Sequence, residues 1–192
     1  GSITNNGRTG VCLIKNNAEI NNNFGGIINN NFGGIINNNQ AATIDNSGTI
    51  TNEATINNYG IITNNTGAEI TNEEGAIISN ADIGATISNT GTITNNKGGK
   101  ISNKEDGTIK NNTGGTINNT GGIIYNYGPI TEDGTIECTD GGCFYKEDSA
   151  ILPSNTNCKF CSSSSSKPKP KKQKKFYWAI NNATGCKRKC YY

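Results

Sequence analysis

Isoleucine sets the rhythm of this chain. From Ile20 the apolar positions run Ile20, Ile28, Ile36, Ile44, Ile50, Ile56, Ile62, Ile70, Ile78, Ile87, Ile93, Ile101, Ile109, Ile117, Ile124, Ile130 and Ile136, at spacings of 8, 8, 8, 6, 6, 6, 8, 8, 9, 6, 8, 8, 8, 7, 6 and 6. Through Ile124 each is followed two positions later by asparagine: Asn22, Asn30, Asn38, Asn46, Asn52, Asn58, Asn64, Asn72, Asn80, Asn89, Asn95, Asn103, Asn111, Asn119 and Asn126. Ile3 with Asn5 and Ile14 with Asn16 carry the pattern toward the first residue. The unit is Gly/Ala-x-Ile-x-Asn.

A strand places residues i and i+2 on one face, so in Gly48-Thr49-Ile50-Thr51-Asn52 the Gly, Ile and Asn point one way and both threonines the other. Strands of about five residues, joined by links too short for a helical crossover, predict a coil whose strands stack on the next coil in parallel. Isoleucine then forms the inward stacks, asparagine stacks near the corners, and glycine relieves crowding or takes a positive φ. A spacing of six fits three sides per turn, and a spacing of eight lengthens a side or corner without changing the face that isoleucine occupies. The odd spacings before Ile87 and Ile124 predict a bulge or altered corner. A triangular section gives five or six coils from these seventeen positions, and a two-sided coil is the alternative. A helix is excluded by the dominance of Gly, Asn, Thr and β-branched Ile and by the missing 3.6-residue stripe. Disorder fits the mean hydropathy of -0.59 but not such regular isoleucine placement.

On these units, residues 1–136 resemble the parallel β-helix, or β-solenoid, repeat proteins of the extracellular fibre and adhesin type, among them solenoid ice-binding proteins and viral fibres. The resemblance implies an all-β parallel β-solenoid and an extracellular, cell-surface or particle-surface location.

Composition narrows the chemistry. Of 192 residues 34 are Asn and 27 Ile, and His and Met are absent. Without histidine there is no His-ligated metal and no His-assisted Ser or Cys nucleophile. The acidic pairs Glu73-Glu74, Glu105-Asp106, Glu132-Asp133 and Glu147-Asp148 mostly fall at connector positions near glycine, where solvated turns are expected. The solenoid's few aromatics also lie in scattered connectors, leaving no evident sugar platform. We therefore expect no enzyme, no cofactor, no metal and no small-molecule substrate. No run of 18 apolar residues marks a membrane span.

Beyond Ile136 the repeat is expected to stop, giving a solenoid at 1–136, a cysteine-rich cap or transition at 137–161, a Ser/Lys/Pro linker at 162–175 and an aromatic, cysteine-containing segment at 176–192. Cys138, Cys143, Cys158, Cys161, Cys186 and Cys190 cluster there, while Cys12 stands alone. Disulfides are the favoured reading. Two thiolate pairs on zinc, Cys158 with Cys161 and Cys186 with Cys190, are the alternative. The odd count makes Cys12 the candidate for a bond between subunits. Charge divides at the same place: residues 1–150 hold 15 acidic and 7 basic side chains, a net of -8, and residues 151–192 hold 10 basic and none acidic, a net of +10. The basic run Lys167 to Lys175 with Phe176-Tyr177-Trp178 suits the acidic body of another copy, with nucleic acid or a membrane surface as less favoured partners. The Lys175–Asn182 stretch, with β-prone aromatics ending in an Ile-Asn-Asn echo of the repeat, is read as a segment that caps its own solenoid or adds along a neighbour.

Glycosylation sequons start at Asn64, Asn111, Asn118 and Asn182, and a glycan at Asn64, Asn111 or Asn118 requires that residue to lie at a corner rather than inside. Outward threonines, Thr43, Thr49, Thr55, Thr86, Thr92, Thr108 and Thr116, raise an ice-binding alternative, although charged residues interrupt them. Because the pattern starts almost at residue 1, the first coil is expected to be uncapped and to accept another strand. The resulting expectation is a structural subunit that polymerises head-to-tail into a fibre, with glycans as further partners and an adhesin or glycan- or ice-binding surface as the alternative.

Overall fold

The structure is a computed structural model that describes residues 1–5, 12–146, 156–161, 177–180 and 187–190. It forms two units, Gly1–Cys161 and Ser162–Tyr192.

The first unit is a three-sided parallel β-solenoid. One sheet has eight described strands from Ser2–Asn5 to Thr156–Asn157, a second has eight from Cys12–Asn16 to Lys159–Phe160, and the third has six from Glu19–Asn22 to Ile130–Glu132. The chain visits the three in rotation, so each strand pairs with the one a full turn later, as Ile27–Asn30 does with Thr49–Asn52. Along the asparagine columns a turn takes from 18 to 25 residues. Eight strands at a spacing of about 4.8 Å make a rod about 34 Å long.

Register is kept where loop lengths vary because two columns hold it. Ile28 sits over Ile50, Ile70 over Ile93, and Asn30 over Asn52 without slip. A one-residue slip would put each isoleucine outside and each asparagine on the wrong face. The inward column isoleucines from Ile28 to Ile136 are each 4% exposed or less and line one continuous apolar axis. Each contributes roughly 1.5–3 kcal/mol of burial.

The asparagines form the second column. Asn46 Nδ2 donates to Asn64 Oδ1 at 2.7 Å and Asn64 Nδ2 to Asn89 Oδ1 at 2.8 Å. The direction is fixed by the backbone, since Asn64 Nδ2 also donates to Thr92 O at 3.0 Å and Asn46 Oδ1 accepts from Gly48 N at 3.3 Å. A flipped amide would set oxygen against oxygen. The inward ladders are therefore polar: the amide NH2 groups from Asn5 to Asn119 point to the later coil, and the amide oxygens from Asn30 to Asn126 accept from the earlier one.

Both odd spacings fall at altered corners. Between Ile78 and Ile87 the chain turns through Asp82 at φ 105° and Gly84 at φ 86°, leaving Ile83 exposed. Between Ile117 and Ile124 the strand runs on to Thr120, and Gly121 turns at φ 72°.

The solenoid does not stop at Ile136. Strands Thr135–Thr139, Cys143–Lys146, Thr156–Asn157 and Lys159–Phe160 continue the parallel pairing to Cys161. The sequence pattern hid this because Phe144, 1% exposed, takes an isoleucine position and Cys138 an asparagine position. The cysteine-rich stretch is thus the last part of the rod. In the second unit Tyr177–Ile180 pairs antiparallel with Lys187–Cys190.

Candidate functional site

The distinctive chemistry of the rod lies at its ends. At the first coil the inward column starts with Ile3, which is 42% exposed, and with Ile14 and Ile20, which are half-buried. Asn5 is 1% exposed and spends its amide protons on Asn30 Oδ1 at 2.8 Å, Ile35 O at 3.0 Å and Cys12 O at 3.2 Å. Its Oδ1 has no hydrogen-bond partner, and it is the one such buried side-chain atom among the described residues. That oxygen occupies the position at which later rungs receive an amide from the coil before. Cys12, beside it, is a free and exposed thiol. Leu13, Ile27, Phe24 and Phe32 add exposed apolar surface to this end.

The last coil is closed differently. Cys138 is bonded to Cys158 and Cys143 to Cys161, with Cα–Cα distances of 4.8 and 5.0 Å. Cys138 stands directly after Asn119, whose Nδ2 donates to Cys138 Sγ at 3.5 Å and to Cys143 O at 3.0 Å. A covalent bond thus replaces the final asparagine rung of the first sheet. Phe160, in register with Phe144 on the inward column, is 62% exposed. The zinc alternative for Cys158 with Cys161 fails, because each sulfur is bonded to another cysteine. Cys186 lies outside the described residues, and Cys190 ends a strand.

Two sequons need correction. Asn64 and Asn111 are fully buried in the third-sheet ladder, where Asn64 donates to Asn89 and Asn111 to Gly115 O and Thr135 O. They stand on the inward face because each lies two residues after a core isoleucine, so a folded rod offers no acceptor nitrogen there. Asn118 faces outward and is half-buried, while Asn182 is outside the described residues.

Among the acidic pairs, Glu73 accepts from Asn96 Nδ2 at 2.8 Å in a corner, Glu105 and Asp106 are exposed in another, and Glu147 and Asp148 are outside the described residues. Among the described residues no group of three or more His, Cys, Asp or Glu is placed to hold a metal ion. No described helix is long and apolar enough to cross a membrane. The outward threonines are spread over all three sheets, and Ile27 and Glu69 interrupt the column of Thr49, Thr92 and Thr116.

One grouping escaped the sequence. Tyr145 packs on Tyr125 and Tyr127, with ring centroids 5.9 and 6.0 Å away, and Lys104 Nζ lies 5.5 Å from the Tyr127 ring centre. The signal was the 20-residue interval between Tyr125 and Tyr145, which is one turn of the second sheet.

No protein-family model and no curated protein sequence matches the chain. Among solved structures it is similar to the TibC-catalysed hyper-glycosylated TibA55-350 fragment, at 17% identity over 85% of this chain and 96% of that one, with a TM-score of 0.22. A superposition that loose carries no argument about function.

Proposed function

We propose that the chain is a non-enzymatic structural subunit of an extracellular or surface fibre. Subunits stack head-to-tail through their end coils, and the basic, cysteine-containing tail locks or anchors them. The observation that carries this reading is the continuous register of the isoleucine and asparagine columns, in which each described coil takes the next by the same contacts. A further coil stacked on Ile3 and Asn5 would bury the one, now 42% exposed, and supply a donor to the other, and Phe160 at the far end offers apolar surface on the same inward column as Ile14. Such a contact joins unlike surfaces, so it propagates instead of closing on itself. Support for an extracellular setting comes from the two disulfides, which persist in oxidising compartments.

The test is negative-stain electron microscopy and sedimentation over a concentration series. Rods that lengthen in multiples of the monomer are expected, and Ile3→Asp should stop the lengthening without unfolding the chain. Monodisperse single rods at every concentration would overturn the proposal.

A further inference from the structure

The cysteines at the two ends share a corner. Cys12 lies two residues before the inward Ile14, a place held in later coils by Gly34, Ala54, Ala76, Gly99, Gly122 and Gly142. Following the register through Cys143 over Lys159 and Phe144 over Phe160 puts Cys158 in that same column. On the first sheet, Ile136 over Thr156 and Glu137 over Asn157 put Cys158 next to Cys138, in the column that begins with Asn5. Cys158 therefore stands where the Asn5 column and the Cys12 column meet. Those two residues are themselves neighbours, through the 3.2 Å bond from Asn5 Nδ2 to Cys12 O.

A side chain in this column meets both its own coil and the coil before it. A Cβ on Gly99 would lie 2.6 Å from Asn95 Oδ1 of its own coil and 3.0 Å from Asn72 Nδ2 and Asn72 O of the preceding one, and one on Gly142 would run into Asn119 O of the preceding coil. At the first coil the same place holds a free thiol, beside the partnerless Asn5 Oδ1. If a second copy supplies the preceding coil in continued register, the residue met there is its Cys158. Neighbouring coils already bring cysteines into bonding range, since Cys138 and Cys158 are one coil apart with a Cα–Cα distance of 4.8 Å.

We propose that this corner is a disulfide-exchange site between copies, an inference that rests on the head-to-tail reading. The Cys12 thiolate of one copy attacks Cys158 Sγ of the next. The Cys138–Cys158 bond breaks, its electron pair leaves on Cys138 Sγ, and a Cys12–Cys158 bond forms between the chains. One disulfide is consumed and one is made; the proton lost by Cys12 is balanced by the one Cys138 takes up, so no oxidant is needed. Asn119 Nδ2, 3.5 Å from Cys138 Sγ, is the donor that receives the leaving thiolate. Cys143–Cys161 is not involved and keeps the last coil tied after the exchange.

The test is to concentrate the oxidised chain anaerobically at mildly alkaline pH without added oxidant, trap free thiols with iodoacetamide, and map the peptides. A Cys12–Cys158 link is expected, with alkylated Cys138 in equal amount. Cys12→Ser should still give filaments by electron microscopy while losing the covalent ladder on a non-reducing gel. Cys138→Ser, which keeps both partner cysteines but removes the leaving group, should link only after an oxidant is added. Filaments in which Cys12 stays alkylatable, or is bonded to Cys12, Cys186 or Cys190 of another copy, would overturn the exchange and leave head-to-tail stacking standing. Absence of filaments would overturn both.

Discussion

The first and last coils of this rod are built from one repeat, yet they end it in opposite ways. At the first coil one ladder starts with an oxygen that accepts nothing, at Asn5, and the core column with an isoleucine, Ile3, that stacks on Ile28 but is itself left 42% exposed. At the last coil Cys138 and Cys143 take positions facing Asn119 and Ile123, and two covalent bonds do what amide ladders and isoleucine contacts do elsewhere. The difference teaches that a polar ladder has a finished end and an unfinished end even when every rung is the same residue. Donors run out harmlessly at the late end, because Asn111 and Asn119 also reach backbone carbonyls; at the early end Asn16 Oδ1 accepts from Ala18 N at 3.2 Å, whereas Asn5 Oδ1 is left alone.

The largest effect expected from breaking this comparison is at the core column. Ile50→Ala, in mid-rod and 2% exposed, should cost about 2–5 kcal/mol, whereas Ile3→Ala in the same column should cost a fraction of that. Urea unfolding followed by hydrogen exchange checks both, and equal losses would mean that Ile3 is buried in solution. Next come the disulfides, which close intervals of 20 and 18 residues and should each contribute about 3 kcal/mol. Because coils interact mainly with their neighbours, reduction should raise amide exchange in 135–161 and leave 12–60 unchanged. Uniform acceleration along the rod would contradict the local role.

Smaller effects sharpen the corner. Gly91→Ala, two residues before Ile93, forces a Cβ into Ala68 O and Asn65 O and should destabilise by roughly 1–3 kcal/mol. Cys12→Ala, two residues before Ile14, should change stability by less than about 0.5 kcal/mol, since Cys12 is exposed. Thermal melts of the two variants decide the matter. The smallest effect is on mass alone: expressed through a glycosylating secretory route, the rod should carry a glycan at Asn118 only, removed by Asn118→Gln, and any glycan at Asn64 or Asn111 would mean that those ladders form after modification.

Much of the fold was legible because a strand has a period of two and isoleucine has one place to go. Ile50, two residues from Asn52, could face only one way, and repetition made stacking the only burial on offer. Less of the candidate site was legible. The buried state of Asn64 and Asn111 follows from the same two-residue rule, yet the sequons suggested corners, and only the neighbouring coil that fills their amide bonds decided between them. Phe144 and Cys138 were missed because they occupy ladder positions without ladder residues, and Tyr125 and Tyr145 because their contact depends on the length of one turn.

By itself the sequence determined the strand faces, the parallel stacking and the division between an acidic rod and a basic tail, since periodicity and charge are local properties. Only the tertiary structure decided the three-sided section, the pairing of Cys138 with Cys158 and Cys143 with Cys161, and the meeting of the Cys12 and Asn5 columns at one corner. Those depend on which coil lies against which, and that is set by corner lengths summed over whole turns rather than by any one unit.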